Sequence, residues 1–242
     1  MTMLPVAILA GGMARRLGRL AEATAKALVD INGEPFIAHQ LRLLRASGIG
    51  RVVVCAGHLG EQVQEFVGDG GRFGLEAEFS FDGGRPLGTA GAIRKAFGLL
   101  GRSFFVVYGD SYLSCDYGAV QTAFEKSGKW ALMTVFRNEG RWDRSNVRFE
   151  GGRVMACDKQ NPMSQMHHID YGLGVFHAAA FALVPSGEFY DLTTLYQDLL
   201  LQDQLAAYEI AERFYEIGSL AGLEETRRYL RRVAPDPVDV AP

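Results

Sequence analysis

Residues 104–110 read Phe-Phe-Val-Val-Tyr-Gly-Asp and carry the strongest β-strand signal in the chain. Five β-branched or aromatic residues in succession are typical of a strand that is buried on both faces, as in a parallel sheet. Gly109 interrupts this run and places Asp110 at the carboxyl end of a central strand. Because ligands of open α/β sheets bind outside the carboxyl ends of the strands, Asp110 is a candidate site residue.

Short apolar runs alternate with amphipathic stretches along the chain, which predicts strands alternating with helices. The predicted strands cover residues 4–10, 52–56, 75–81, 104–108, 131–136, 146–150, 153–158 and 173–176. The predicted helices run from Pro35 to Gly48 and over residues 59–67, 89–100, 192–201 and 222–232. Gly151 and Gly152 are expected to close a hairpin. This order predicts a three-layer α/β/α, Rossmann-like fold with a mixed, mostly parallel central sheet and a β-hairpin insertion.

The composition indicates a chain with no broad basic surface. It has 242 residues, 48% of them hydrophobic, and 25 Lys and Arg against 28 Asp and Glu give a net charge of −3. This balance argues against a dedicated nucleic-acid or membrane-surface binder. The three cysteines have no metal-like spacing, so neither a disulfide framework nor a zinc site is indicated. We expect a cytoplasmic protein, with a single domain over residues 1–232 and a Pro-rich flexible tail over residues 233–242.

A glycine pair ends the first predicted strand, in the run Leu9-Ala10-Gly11-Gly12-Met13-Ala14-Arg15-Arg16-Leu17. Glycines let the backbone approach an anion closely, and the guanidinium of Arg16 matches the geometry of phosphate oxygens. The run fits neither the G-x-G-x-x-G dinucleotide signature nor the P-loop signature. A tight turn followed by a solvated basic loop is the alternative interpretation of the same residues.

Further motifs follow this run along the chain: Lys26-Ala27-Leu28, Asn32-Gly33-Glu34-Pro35-Phe36, Pro86-Leu87-Gly88-Thr89-Ala90-Gly91-Ala92, Tyr108-Gly109-Asp110-Ser111, Ile169-Asp170-Tyr171-Gly172 and Phe214-Tyr215-Glu216-Ile217-Gly218-Ser219. In this order they resemble the motifs of the sugar-1-phosphate nucleotidyltransferases, also called nucleotide-sugar pyrophosphorylases. The resemblance implies a nucleotide-binding domain with an acceptor-binding β-hairpin region. It also implies an enzyme that transfers a nucleotidyl group from an NTP to a sugar 1-phosphate and releases pyrophosphate.

The resemblance further implies roles for individual residues. Asp110 and Glu216 stand where the family binds Mg²⁺, the expected cofactor. Arg16 would contact the β- and γ-phosphates, Lys26 the α-phosphate region and Lys159 the sugar phosphate, so that these three residues and Asp110 are the expected catalytic group. The other expected nucleotide-binding residues are Leu9, Ala10, Gly11, Gly12, Gly88 and Thr89, and the other expected sugar-phosphate-binding residues are Tyr171 and Gly172. Thr89 is also expected to cap the helix that follows it.

Three departures from the family pattern bear on activity. Ala14 and Arg15 stand where Gly and Thr are common, Ala25 replaces a frequent proline, and Glu216 replaces a frequent aspartate. These departures leave altered kinetics, an unusual acceptor and a loss of activity all open.

The base and the sugar are less defined than the reaction. The motifs look closest to the compact heptose-1-phosphate guanylyltransferases, and the small uridylyl- and thymidylyltransferases are nearly as close. The expected partners are an NTP and a sugar 1-phosphate, without nucleic acid or membrane, and a homo-oligomer is left open. Three alternatives are a catalytically silent nucleotide or nucleotide-sugar sensor, a nicotinamide-dependent oxidoreductase, and a cytidylyltransferase acting on a non-sugar phosphate or phosphonate.

Overall fold

The structure, a computed structural model, describes residues 2–12 and 23–233. Its strands are β1 (Val6–Ala10), β2 (Asp30–Ile31), β3 (Glu34–Pro35), β4 (Arg51–Ala56), β5 (Glu76–Phe81), β6 (Ser103–Tyr108), β7 (Ser111–Tyr112), β8 (Ala131–Arg137), β9 (Val147–Glu150), β10 (Arg153–Cys157), β11 (His168–His177), β12 (Leu205–Ile210) and β13 (Tyr215–Glu216). Its α-helices are α1 (Phe36–Ala46), α2 (Gly60–Val67), α3 (Gly88–Lys95), α4 (Phe97–Leu100), α5 (Tyr117–Ser127), α6 (Leu192–Leu201) and α7 (Leu220–Val233).

A mixed sheet lies at the centre of the fold, as predicted. Strands β6, β1, β4 and β5 are neighbours in that order, and all of them are parallel. Strand β11 pairs antiparallel with β6, and the sheet then continues along two paths, through β9 to β10 and through β8 to β12. The first half of the chain therefore builds a parallel region, and the second half builds a largely antiparallel one.

Helices cover both faces of this sheet because successive side chains of a buried strand point to opposite faces. In β1, Val6 and Ile8 belong to one hydrophobic cluster, which also contains apolar residues of α1, α2 and α5. Ala7, between them, belongs to a second cluster with residues of α3 and α6. This alternation confirms the predicted three-layer architecture.

The carboxyl ends of β1 and β6 leave no room for a side chain at Gly109. A Cβ atom on Gly109 would lie 2.8 Å from the carbonyl oxygen of Leu9, and the amide of Gly109 donates to that same oxygen at 2.9 Å. Any larger residue at position 109 would push the two strand ends apart. Glycine at this position therefore brings Asp110 next to the turn that follows β1.

Two predicted elements differ from those observed. The predicted helix at 89–100 is divided at Ala96 into α3 and α4. The predicted strand at 173–176 is the second half of the much longer β11. The pairing of β11 with β8 shifts register between Asp170 and Gly174, and Gly172 has a φ of +96°. This irregularity breaks the two-residue alternation from which a strand is recognised in a sequence.

Helix α5, strand β12 and the two-residue strands β2, β3, β7 and β13 were not predicted. Helix α5 begins at Asp116, whose carboxylate accepts a hydrogen bond from the amide of Ala119 at 2.9 Å, and ends at Gly128, which has a φ of +64°. These are ordinary start and stop signals that the sequence offered. Strand β12 is an edge strand whose partner β8 lies far away in sequence, so that only tertiary pairing defines it.

The hairpin prediction is confirmed, since Gly151 and Gly152 both have positive φ and join β9 to β10. Helix α7 ends at Val233, and the predicted tail beyond it lies outside the described residues. The division into one domain and a tail stays a prediction. None of the helices within residues 2–12 and 23–233 has both the length and the hydropathy of a membrane span.

Candidate active site

A cavity of about 230 Å³ opens at the carboxyl ends of β1, β4 and β6. All six of the nucleotide-binding residues predicted besides Arg16 line it, namely Leu9, Ala10, Gly11, Gly12, Gly88 and Thr89. Lys26 and Asp110 line it as well. The structure thus brings together residues that are up to about a hundred positions apart, at the edge where ligands of α/β sheets bind. Arg16 lies outside the described residues.

Lys26 and Asp110 form an ion pair at one end of the cavity. The Nζ atom of Lys26 donates to the Oδ2 atom of Asp110, and the two side chains are 18% and 30% exposed. Gln62 holds the segment before Lys26, because its side chain accepts from the amide of Ala25 and donates to the carbonyl of Ala23, both at 3.0 Å. The ammonium group is therefore held at the cavity wall, still accessible to an anionic ligand.

The backbone around Asp110 is fixed from two directions. The buried side chain of Gln40, on α1, donates to the carbonyl oxygens of Tyr108 at 2.9 Å and Ser111 at 2.8 Å. From the other side, β13 pairs with β7, and the amide of Ile217 donates to the carbonyl of Asp110 at 3.0 Å. This small antiparallel pair places Glu216 opposite Ser111. Two carboxylates that are remote in sequence thereby become neighbours.

Glu216 faces the same point as the Lys26–Asp110 pair. Its Oε1 accepts from the hydroxyl of Ser219 at 2.8 Å, and its Oε2 accepts from the amide of Gly218. The position that a Cβ atom on Gly218 would take lies within 4 Å of three charged atoms, the carboxylate oxygens of Glu216 and Asp110 and the Nζ of Lys26. A side chain at position 218 would occupy the space between these groups.

The donor set at this point suits a magnesium ion better than a metal held wholly by protein. Among residues 2–12 and 23–233, no group of three or more His, Cys, Asp or Glu side chains could hold a metal. Mg²⁺ commonly takes only one or two carboxylates and completes its octahedron with substrate phosphates and water. Asp110 and Glu216 supply two hard oxygen ligands of this kind, so the residues present fit the ion.

Gly88 and Thr89 stand at the other end of the cavity, where two helices begin side by side. Thr89 was expected to cap the helix that follows it, and this expectation is wrong. Thr89 lies inside α3 and does not cap it, whereas its hydroxyl accepts from the amide of Leu192, the first residue of α6, at 2.7 Å. In return, the carboxylate of Asp191 accepts from the amide of Thr89 at 3.3 Å. Each helix start is therefore capped by a residue at the start of the other.

The same end of the cavity carries a carboxylate that the sequence analysis missed. Asp82 follows β5 directly and lines the cavity beside Pro86 and Gly88. Its Oδ2 accepts from the amide of Leu87 at 3.3 Å. Burial raises the pKa of Asp82, and the hydrogen bond from Leu87 and the charge of Lys95 only partly oppose that effect. Its position just after a predicted strand was the signal that could have revealed it.

Lys159 lies near the wall that Tyr108 forms on the nucleotide cavity. Its Nζ donates to the hydroxyl of Tyr108 at 3.4 Å and lies 3.5 Å from the carboxylate of Asp170. Burial favours the neutral amine, but Tyr108 and Asp170 outweigh it, so the pKa of Lys159 is raised. A small second cavity is lined by Lys159, Asp170, Asn146 and Asp158. Lys159 therefore contacts Tyr108, a residue that also lines the first cavity.

Known proteins similar to this chain point to the same chemistry. A family model described as MobA-like NTP transferase domain matches residues 6–233. The chain is 37% identical over 233 residues to an N-acetylmuramate alpha-1-phosphate uridylyltransferase from Neisseria meningitidis, covering 91% of this chain and 95% of that protein. It is 36% identical over 232 residues to a glucose-1-phosphate thymidylyltransferase from Streptomyces antibioticus, covering 91% of this chain and 64% of that protein.

The chain belongs to the sugar-1-phosphate nucleotidyltransferases. Among solved structures, a putative glucose-1-phosphate thymidylyltransferase from Bacillus anthracis, in complex with sucrose, superimposes with a TM-score of 0.85 at 19% identity, covering 95% of this chain and 96% of that one. That likeness confirms the α/β fold. Members of this nucleotidyltransferase family are enzymes, and the relatives include uridylyl-, thymidylyl- and guanylyltransferases.

In this nucleotidyltransferase, the two residues of β11 that were predicted to bind the sugar phosphate, Tyr171 and Gly172, differ in their surroundings. The side chain of Tyr171 is 1% exposed and packs between Phe136 and Phe214 in the core, so it does not line the small second cavity beside Lys159. Successive residues of a strand face opposite ways, and its neighbour Asp170 takes the side of Lys159. Gly172 lies beside Tyr108, since a Cβ atom there would be 3.4 Å from its ring, and its role toward the sugar stays a prediction.

Proposed function

We propose that the protein transfers a nucleoside monophosphate from an NTP to a sugar 1-phosphate and releases pyrophosphate. The observation that carries this proposal is the convergence of the Gly11-Gly12 turn, Lys26 and Asp110 on one cavity, with Lys159 just behind Tyr108. Lys26 thus lines the first cavity, and Lys159 lines a small neighbouring one. This is the arrangement that a reaction between two phosphorylated substrates needs.

The reaction requires positioning and charge neutralisation rather than a covalent intermediate on the protein. An oxygen of the sugar phosphate attacks the α-phosphorus of the NTP. A new P–O bond forms there, and the bond from the α-phosphorus to the oxygen that bridges to the β-phosphorus breaks. The electron pair of that bond leaves with pyrophosphate. The attacking phosphate oxygen is already anionic at neutral pH, so no side chain has to remove a proton from it.

We assign roles to these residues from their places in the structure and, for Arg16, which lies outside the described residues, from the motif resemblance. The backbone N–H groups of Gly11 and Gly12 and the guanidinium of Arg16 bind the triphosphate. Lys26 lies against the α-phosphate, where negative charge accumulates during transfer. Lys159 holds the acceptor phosphate, and its raised pKa keeps it charged across the physiological range. Gly172 leaves room for the sugar beside the ring of Tyr108.

Asp110 and Glu216 are the residues that would hold Mg²⁺. When bound, the ion would neutralise the phosphate oxygens and stabilise the leaving pyrophosphate. The pairing of Glu216 with Ser111 across two short strands supports this assignment, because it directs both carboxylates to the space beside Lys26. The greater length of glutamate relative to aspartate is accommodated by the bond from Ser219 to its carboxylate.

Guanine is the base that the chemistry of the cavity favours. Asp82 is a carboxylate and only accepts hydrogen bonds. The Watson–Crick edge of guanine presents two adjacent donors, N1–H and the N2 amino group, which match the two oxygens of one carboxylate. Uracil and thymine present a single N–H between two carbonyl oxygens, which a carboxylate repels. Adenine and cytosine place an acceptor beside their amino group. We therefore propose GTP as the nucleotide substrate.

Uridylyl transfer is the second candidate, favoured by one specific finding. The Neisseria relative, which matches across 95% of its length, is named for uridylyl transfer to N-acetylmuramate α-1-phosphate. For the acceptor of the guanylyl reaction we propose a heptose 1-phosphate, as the motif resemblance suggests. Either reaction draws on the nucleotide pool of the cytoplasm.

The test is pyrophosphate release with Mg²⁺ and each of ATP, GTP, CTP, UTP and dTTP against a panel of hexose, heptose and N-acetylmuramate 1-phosphates. Release with GTP and a heptose phosphate supports the first proposal, and release with UTP supports the second. A chelator added to the active pair tests the metal. Nucleotide binding without pyrophosphate release for any acceptor would support the sensor alternative. CTP turnover with a non-sugar phosphate, assayed in parallel, would support the cytidylyltransferase alternative. No binding of any NTP would contradict the proposal.

A further inference from the structure

Phe189 is an exposed aromatic residue at the rim of the nucleotide cavity. Its side chain is 63% exposed, although it lines the cavity. Among the large apolar side chains that are exposed in the described part of the chain, it is the only one that lines this cavity. The others are Trp130, Trp142, Met155, Met163, Leu201, Leu220 and Val233. Burying an aromatic ring is favourable, so a ring left in solvent beside a cavity suggests contact with a ligand.

The segment that carries Phe189 is held firmly against the turn at Pro86–Gly88. The amide of Tyr190 donates to the carbonyl of Leu87 at 2.9 Å, and the carbonyl of Tyr190 accepts from the amides of Ala90 at 2.9 Å and Gly91 at 3.1 Å. A Cβ atom on Gly88 would lie 2.7 Å from the carbonyl oxygen of Tyr190. Phe189 is thus fixed relative to the helix start that it faces.

Two further contacts secure the same segment on either side of Phe189. Arg85 donates to the carbonyl of Gly187 at 2.6 Å, and the reciprocal caps join Thr89 to Asp191 and Leu192. The ring is therefore presented to the cavity by an anchored backbone on both sides. An anchored ring can receive a flat ligand without the entropic cost of ordering a loop.

We propose that Phe189 stacks on one face of the nucleobase of the bound NTP. This inference rests on the proposed function, which places the base at the end of the cavity formed by Asp82 and Gly88. Asp82 then selects the base by its edge, and Phe189 contributes affinity through the face. Because every base has a π-face, stacking adds affinity for GTP and UTP alike and leaves selection to the edge.

The experiment measures GTP and UTP binding to the full chain by calorimetry, together with steady-state kinetics. The variants are Phe189→Ala, Phe189→Tyr and, as a matched control, Leu201→Ala, which truncates another exposed apolar side chain that does not line the cavity. Phe189→Ala should weaken the binding of both nucleotides about tenfold or more, and it should raise KM for the NTP by the same factor. KM for the acceptor should stay unchanged. Phe189→Tyr should restore binding, and Leu201→Ala should bind as the wild type does.

Wild-type affinity in Phe189→Ala would overturn the inference, and so would a Tyr variant that binds no better than the Ala variant. An equal rise in both KM values would also overturn it, since that would indicate a displaced segment rather than a lost stacking contact. If the wild-type protein binds no NTP, the proposed function itself fails. That result differs from one in which the wild type binds NTP and Phe189→Ala binds it equally well.

Discussion

The proposed nucleotide region and the proposed acceptor region of the molecule differ in how the fold assembles them. The nucleotide cavity lies at the carboxyl ends of parallel strands, where every strand delivers its following residues to one edge. The acceptor pocket lies at an irregular stretch of antiparallel β11, where the register shifts between Asp170 and Gly174. In the first region topology alone brings the site together. In the second, a local distortion decides which side chains face the pocket.

The two regions meet at Tyr108. Its ring lines the nucleotide cavity, and its hydroxyl receives the hydrogen bond from Lys159. The backbone carbonyl of the same residue accepts from Gln40, which also supports the turn at Asp110. In the proposed reaction, the two substrates would therefore be bound by separate groups that meet beside Tyr108.

Removing the carboxylate of Asp110 should have the largest effect on turnover. Asp110→Asn should lower kcat about a hundredfold or more, because the position loses the charge that pairs with Lys26 and would bind the metal. The free energy of unfolding should change by less than about 1 kcal/mol, as expected for a partly exposed ion pair. Pyrophosphate release and urea unfolding measure the two quantities.

Asp203→Asn is the matched control for that variant. Its carboxylate pairs with Lys129 and Arg153 on the surface, at 2.8 and 2.9 Å, remote from the cavity. This control should keep full activity. If Asp110→Asn retained most of its turnover, the site would have been placed at the wrong strand end.

A substitution in the proposed acceptor region should change KM for the sugar phosphate without an equal change in KM for the NTP. Lys159→Met should raise KM for the sugar phosphate about tenfold or more, because a charge-assisted bond to phosphate is lost. KM for the NTP should change far less. Lys126→Met, at an exposed lysine of α5, serves as the control. A rise confined to the NTP would show that Lys159 belongs to the nucleotide region instead.

The turn between the two regions can be tested with a pair of buried glutamines. Gln40 and Gln121 are both 2% exposed, and both bond backbone groups, but Gln121 contacts Thr2 and Leu4 far from the cavity. Replacing either residue by Leu should destabilise the fold by about 1–3 kcal/mol, since backbone groups lose their partners. Only Gln40→Leu should also lower kcat, by roughly tenfold. Equal activities of the two variants would show that Gln40 is purely structural.

The smallest effect concerns the pH dependence at Asp82. Burial raises the pKa of this carboxyl in the folded protein, so its favourable contribution to stability is present below about pH 4 and is lost as the pH rises through the folded pKa. Asp82→Asn removes this loss. From pH 4 to pH 7 the variant should therefore gain stability relative to the wild type, by less than about 1 kcal/mol at this partly exposed site.

Urea unfolding at pH 4, 5.5 and 7 follows the difference, and Asp30→Asn, at an exposed carboxylate, provides the baseline. A difference that does not change with pH would contradict the raised pKa. If Asp82→Asn weakens the binding of GTP more than it weakens the binding of UTP, the result would support the role of Asp82 in base selection.

Much of the parallel region was predictable because its signals are local. Local conformation is determined here by short signals: the apolar run before Gly109, the glycine pair after β1 and the helix stop at Gly48. The predicted strand ends in this region fall within two residues of those observed. The acceptor region was less predictable. Tyr171 belongs to the first half of β11, which begins five residues before the predicted strand, and the register shift between Asp170 and Gly174 is not visible in the alternation of the sequence.

The sequence by itself determined the alternation of strands and helices, the strand end that carries Asp110, and the motifs that place the chain among the sugar-1-phosphate nucleotidyltransferases. These depend on short-range patterns of hydropathy and on glycine, which act within a few residues. Only the tertiary structure decided that Glu216 faces Asp110, that Thr89 caps the distant α6, and that Phe189 stands at the cavity rim. Those positions follow from strand pairing and helix packing between segments about a hundred residues apart, a distance over which no local pattern carries information.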